Sequence, residues 1–263
     1  MGLAFRLNYE IYSAVRLKPR LRDATRRFLV QLAAALCCTC SLLGAGTVPS
    51  LSSSYLVKVW GQEDGLPHYS VPALSQTPDG YLWVGTFGGL CRFDGDRFVV
   101  VSPETTPGMP GNYVVRAFTD HAGALWISTD SGGGRYAEGS WTPFKQPQGW
   151  PNQLVRCFAE DREGRIIIST ASRILRLEGG HFNELPAPPE AAPEQAMLCA
   201  VDDQDTLFAA HDSFCGYLDH DKWVTVLSPS ELRDETFCGI ASSKTGGIWI
   251  AEAGRIRKWQ AGQ

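Results

Sequence analysis

A pattern of large apolar residues recurs at an almost constant interval along this chain of 263 residues. The intervals between the anchor residues of successive copies are 43, 41, 41 and 41 residues. A basic or aromatic residue follows nine positions after each anchor, and an apolar residue follows ten positions after it. Agreement over five copies predicts a repeat architecture, because fixed periods of this length are the mark of stacked structural units. The anchors are Trp83, Trp126, Ile167, Phe208 and Trp249.

Within each copy, short apolar segments alternate with turns rich in glycine. Four such segments fit into one period, which is typical of a β-propeller built from four-stranded blades. In the first copy Asp79-Gly80 and Asp94-Gly95 stand at the hairpin positions, where type I′ turns favour Asp-Gly. We therefore predict an all-β fold, a β-propeller over residues 55–263, with the anchors packed between blades. The predicted strands of the first blade are 70–76, 81–86, 89–94 and 97–101.

The number of blades in the ring stays open at this stage. The fifth copy supplies three strands before the sequence reaches Gln263. The segment Tyr55–Trp60, YLVKVW, alternates like an outer strand and could pair with the last blade, closing a five-bladed ring without a free edge. Alternatively, the five copies belong to an incomplete, larger propeller. The abrupt end of the sequence favours this second alternative.

The charge of the chain is unevenly distributed. Residues 1–27 form a basic N-terminal segment, and an apolar run over residues 28–48 ends in small residues. This order predicts either a secretory signal peptide or a membrane anchor, and hence a periplasmic or otherwise extracytoplasmic propeller. The remaining body is acidic, which argues against a nucleic-acid partner, since that partner would require a basic surface.

The first copy contains a dense set of motif residues: Gly65-Leu66-Pro67, Val71, Asp79-Gly80, Leu82-Trp83, Gly85-Thr86, Gly89-Leu90, Arg92-Phe93 and Asp94-Gly95. In these residues it resembles the repeat of two-component regulator propellers. In that family the propeller is the extracytoplasmic sensor of a membrane receptor with a histidine kinase or diguanylate cyclase output domain, and some ligands are polysaccharide fragments. The resemblance implies a sensor that lacks its output domain in this chain, so no enzyme is expected.

Candidate ligand-binding residues lie in the loops that lead into the innermost strands. Propeller ligands usually bind on the face formed by these lead-in loops and by the loops that join strands two and three. The lead-in loops of the first three blades read GLPHYS, GMPGNY and GWPNQL. The polar and aromatic candidates in them are His68, Tyr69, Asn112, Tyr113, Asn152 and Gln153.

Other residues that can carry chemistry follow no recognised pattern. The five histidines form no HxH or HExxH motif, and the cysteines of the body form no CxxC pair. We therefore expect no metal and no cofactor, and buried cysteines that act as small apolar residues. The repeated Arg92, Arg135 and Arg176 are interpreted as structural cations between blades.

The leading functional hypothesis is a sensor propeller for a small molecule or a saccharide, which acts through a membrane receptor or through self-association. The first alternative is a propeller enzyme of the streptogramin-lyase kind. That enzyme would need histidine and glutamate side chains around a divalent cation at the mouth of the channel. The second alternative is a stand-alone propeller that binds other proteins.

Overall fold

The computed structural model describes residues 57–189, 197–227, 237–252 and 254–260. The predicted basic segment 1–27 and apolar segment 28–48 lie outside these residues. Backbone contacts divide the chain into two compact units, Met1–Val57 and Lys58–Gln263, and the second unit is the one described below. Within the described ranges, no helix is both long and apolar enough to cross a membrane.

The second unit consists of antiparallel sheets that follow one another in chain order. Blade one contains β1 (Ala73–Gln76), β2 (Leu82–Thr86), β3 (Gly89–Phe93) and β4 (Phe98–Val101). Blade two contains β5 (Val114–Thr119), β6 (Leu125–Thr129), β7 (Gly132–Ala137) and β8 (Ser140–Phe144). Blade three contains β9 (Cys157–Glu160), β10 (Ile166–Ser169), β11 (Ile174–Glu178) and β12 (His181–Glu184).

The last two blades continue the same meander. Blade four contains β13 (Leu198–Val201), β14 (Leu207–His211), β15 (Phe214–Asp219) and β16 (Lys222–Leu227). Blade five contains β17 (Phe237–Ser242), β18 (Ile248–Glu252) and β19 (Arg255–Trp259). The innermost strands of neighbouring blades, β1, β5, β9, β13 and β17, lie side by side in that order. The all-β fold with five repeated sheets is thus confirmed.

The nine-residue spacing in the sequence reflects the pairing of the second and third strands. Each anchor is paired in register with the residue nine positions later, as Trp83 is with Arg92 and Trp126 with Arg135. Trp83 packs against Met109, Leu125 and neighbouring apolar side chains of blade two. The prediction that the anchors pack between blades is therefore confirmed for the first four copies, where the anchor side chain is buried.

The turns between the first two strands are built differently from the prediction. In blade one the Gly80 N–H donates to the Thr77 carbonyl (2.9 Å), and Gly80 is the residue of the turn with positive φ (+89°). A type I′ turn would require positive φ at Asp79 as well. The turn is instead a type I turn with Pro78 at its second position and glycine at its fourth.

The prediction that Tyr55–Trp60 forms a strand is wrong for its described part. Residues 57–60 are not in a strand, and Val59 is exposed. The Trp60 ring instead packs edge-on against Phe93 of blade one, with ring centroids 5.0 Å apart. Tyr55 lies outside the described residues. The alternation of apolar residues in this segment predicts a strand, but the Trp60 side chain instead packs on blade one.

The repeated arginines act within blades rather than between them. The guanidinium of Arg92 lies 4.1 Å from the ring centroid of Tyr81 in its own blade. Arg135 lies 3.7 Å from the carboxylate of Asp120, and Arg176 bonds Glu178 at 2.6 Å. The expectation of interblade cations is corrected accordingly, because each of the three partners belongs to the same blade as its arginine.

Candidate functional site

The loops on the predicted ligand face are held in place by a repeated threonine. In blade one the Thr86 hydroxyl donates to the Gly89 carbonyl (2.8 Å) and accepts from the Gly88 N–H (3.1 Å). Thr129 makes the corresponding bonds in blade two. A Cβ at Gly88 would lie 3.0 Å from the Pro67 carbonyl oxygen, so the lead-in loop and this turn are in close contact.

Four aromatic rings form a row across this face, which we call the aromatic ladder: His68, Tyr69, Phe87 and Tyr113. The rings of His68 and Tyr69 are stacked with centroids 4.2 Å apart. Phe87 and Tyr113 are stacked at 4.3 Å with an interplanar angle of 7°, and the His68 and Phe87 centroids are 6.0 Å apart. The ladder therefore joins the loops of blade one to the lead-in loop of blade two.

The ladder is open to solvent, although large aromatic rings usually bury most of their surface. Tyr69 is 79% exposed, Tyr113 is 37% exposed and Phe87 is 36% exposed. The His68 ring is fixed by its own loop, since its Nδ1 accepts a hydrogen bond from the Ser70 N–H at 3.0 Å. The neutral ring then carries its proton on Nε2, which is available as a donor. The ladder thus combines flat apolar faces with polar groups at their edges.

The structure brings three of the six predicted residues together, namely His68, Tyr69 and Tyr113. Asn112 lies next to Tyr113 and is exposed. The Ser102 side chain and Asn112 both help to lower the pKa of Glu104. Asn152 and Gln153 are exposed in the lead-in loop of blade three. Among the described residues we find no hydrogen bond between these two side chains and the ladder.

Phe87 is the residue of the ladder that the sequence did not single out. It occupies the loop joining strands two and three, which the sequence had already assigned to the ligand face. A large exposed aromatic between Thr86 and Gly88 was the available signal, because turns of this kind normally carry small or polar residues. Its stacking partner is 26 residues further along the chain, so the pair becomes visible only in the fold.

One histidine outside the ladder forms a pair with a carboxylate of the next blade. His121, in the turn after β5, bonds Glu160 of blade three through its Nδ1 and through its backbone N–H (2.8 Å to Oε2). This hydrogen bond raises the pKa of His121. Within the described part of the chain, no group of three or more histidine, cysteine, aspartate or glutamate side chains is arranged to hold a metal ion.

Comparison with protein families gives one match. Residues 65–88 match the family described as two component regulator propeller. The resemblance predicted from the first repeat is thereby confirmed, and the matched segment contains both His68 and Phe87. A comparison with curated proteins gave no match.

Solved structures share the fold. The extracellular domain of a hybrid two component system from B. thetaiotaomicron aligns with a TM-score of 0.65 and 22% identity, covering 79% of this chain and 31% of that chain. A streptogramin B lyase aligns with a TM-score of 0.58 and 18% identity, covering 75% and 71%. Virginiamycin B lyase from Staphylococcus aureus aligns with a TM-score of 0.56 and 14% identity, covering 74% and 71%. Since sensors and lyases both appear, this similarity establishes the fold alone.

Proposed function

We propose that this chain, which carries a two-component regulator propeller repeat at residues 65–88, is an extracytoplasmic sensor module that binds its ligand on the aromatic ladder. The observation that carries the proposal is the row of stacked, exposed rings on the face where propeller ligands bind. A contiguous apolar surface exposed to water is unfavourable, and a ligand that covers these rings would remove that surface from water. The family match supplies the signalling context.

The ligand class that fits the ladder best is a saccharide. Sugar rings have flat faces of C–H groups that pack on aromatic rings, and hydroxyl groups at their edges that need hydrogen-bond partners. The Phe87 and Tyr113 rings offer the flat surface, while His68 Nε2 offers a polar partner beside it. Because the rings extend across two blades, an oligosaccharide fits better than a single sugar.

The proposed sensor passes its signal to a membrane receptor partner or acts through self-association, and it performs no catalysis itself. Its export depends on residues 1–48, whose charge and apolar run are those of a signal or anchor. A fusion of residues 1–56 to alkaline phosphatase tests the export, since that enzyme is active only after translocation. Activity equal to that of a fusion lacking residues 28–48 would reject it.

Isothermal titration with a panel of neutral and acidic oligosaccharides tests the binding site. Phe87→Ala and Tyr113→Ala should each weaken binding of the active saccharide by about tenfold or more, because a stacking surface is lost. Val99→Ala is the matched control, since Val99 is an exposed apolar residue on outer strand β4. Equal affinities in all three variants would refute the ladder as the site.

A further inference from the structure

Two cysteines face each other across the interface between blades three and four. Cys157 is on the innermost strand β9 and Cys199 is on the innermost strand β13, which lies beside it. The Cys157 thiol donates to the Cys199 backbone oxygen at 3.2 Å. Both side chains belong to the same apolar cluster.

The repeat explains why these two side chains meet. With a period of 41 residues, the position equivalent to Cys157 in blade four is Leu198. Cys199 is one residue further on, so its side chain points to the opposite face of its sheet, toward blade three. The same two positions are occupied by Ala73 and Ala117 between blades one and two, and by Arg116 and Phe158 between blades two and three. Of these three interfaces, the one between blades three and four therefore has cysteines at both positions.

We propose that Cys157 and Cys199 form a disulfide that joins blades three and four when the protein meets a disulfide oxidant. The sulfur of Cys157 already lies against the backbone of Cys199, so rotation of the side chains brings the sulfurs together without moving the strands far. This inference is independent of the ligand-binding site proposed above. It suits an exported protein, since disulfides form outside the cytoplasm.

The chemistry favours Cys157 as the attacking thiol. Hydrogen bonding from Cys199 and the nearby positive charge of Arg116 lower the pKa of Cys157 to about 7. Cys157 is also half-buried, whereas Cys199 is buried. By contrast, burial raises the pKa of Cys91 to about 12, which keeps that thiol protonated and unreactive.

The reaction with oxidised glutathione balances in two exchange steps. The Cys157 thiolate attacks one sulfur of glutathione disulfide, whose S–S bond breaks and releases one glutathione thiolate. Cys199 then gives up its proton to solvent, and its sulfur attacks Sγ of Cys157 to expel the second glutathione. The protein loses two electrons and two protons, and one glutathione disulfide becomes two glutathione thiols.

The test is a non-reducing tryptic peptide map of the full chain after equilibration with glutathione disulfide. Cys157 falls in the short peptide 157–162, and Cys199 falls in the peptide 177–222. We expect these peptides to be linked, with a mass two hydrogens below their sum. Cys215 lies in the same long peptide, so Cys215→Ala is the control and should leave the link in place.

The variants separate the proposal from other outcomes. Cys199→Ser should abolish the link and leave Cys157 as a stable mixed disulfide with glutathione, and Cys157→Ser should abolish both products. Oxidation should raise the melting temperature of the wild type and of Cys215→Ala by roughly 5–10 °C, because a loop of 42 residues is closed, and should not raise that of Cys199→Ser. An unlinked wild-type protein in excess oxidant, or a link lost in Cys215→Ala, would overturn the proposal.

Discussion

At the scale of single residues, the same anchor position contributes different amounts to stability in different blades. Trp83 is 2% exposed because blade two covers it, and its indole N–H donates to the Thr77 hydroxyl at 3.0 Å. Trp126 is buried in the same way, and its indole bonds Asp120 at 2.8 Å. Trp249 in blade five is 43% exposed. The repeat therefore identifies the anchor, while the neighbouring blade decides what its burial contributes.

This difference predicts unequal costs for the same substitution. Trp83→Ala should lower the free energy of unfolding by about 3–5 kcal/mol, since it leaves a cavity between blades. Trp249→Ala, the matched control in the fifth copy, should cost less than about half of that, because its ring already contacts solvent. Urea denaturation followed by circular dichroism measures both. Equal losses would contradict the packing described here.

The histidine in the turn after β5 predicts a pH effect. Hydrogen bonding to Glu160 raises the pKa of His121 above its ordinary value of 6.5. A raised folded-state pKa means that the pair contributes its full stability below about pH 6.5 and loses that contribution as the pH rises through the higher pKa. The free energy of unfolding of the wild type should therefore fall relative to that of Glu160→Gln between pH 6.5 and 8. Parallel pH profiles in urea denaturation would rule this out.

The candidate site could be predicted from the sequence in part. His68, Tyr69 and Tyr113 were found because the repeat assigns their loops to one face. Phe87 was missed because stacking depends on how close two loops come, and the sequence does not encode that distance in a local pattern. Asn152 was included for the same positional reason as His68, but the structure shows no bond between it and the ladder within the described residues.

At the scale of elements, the turns between the third and fourth strands differ in backbone strain. The strain depends on whether glycine or another residue occupies the position with positive φ. Equivalent positions in the turns between the third and fourth strands of blades two, three and four are Glu138, Gly179 and His220, with φ of +51°, +58° and +56°. This left-handed conformation is easy for glycine and unfavourable for residues with a Cβ. The strand boundaries of blade one were predicted within a few residues, since turn residues and alternation are local signals.

The equivalence of these positions gives a reciprocal test. Glu138→Gly should raise the free energy of unfolding by about 0.5–1 kcal/mol, because relief of strain outweighs the greater freedom of glycine in the unfolded chain. Gly179→Glu should lower it by a similar amount, since a Cβ there meets no neighbouring atom within 4 Å and only the backbone is strained. Thermal and urea unfolding of the two variants provide the comparison. Changes of the same sign would refute the strain argument.

At the scale of the whole molecule, the order of the blades follows from the repeat, but the closure of the ring does not. Each blade covers the anchor face of the blade before it, so the sequence period predicts four interfaces between five copies. A closed ring would require a further strand or blade beside blade five. The alternating pattern of Val57–Trp60 does not indicate which blade that segment contacts. Trp60 lies against Phe93 in blade one.

The exposed apolar side chain of Ile256 on blade five gives a prediction at the scale of the whole molecule. Ile256 is 71% exposed, whereas Ile174, its equivalent in blade three, is buried against blade four. Ile256→Lys should therefore change the free energy of unfolding by less than about 0.5 kcal/mol. Ile174→Lys buries an unpaired ammonium group in the same register and should prevent folding or cost more than about 4 kcal/mol. A large loss for Ile256→Lys in urea denaturation would mean that this face is covered in solution.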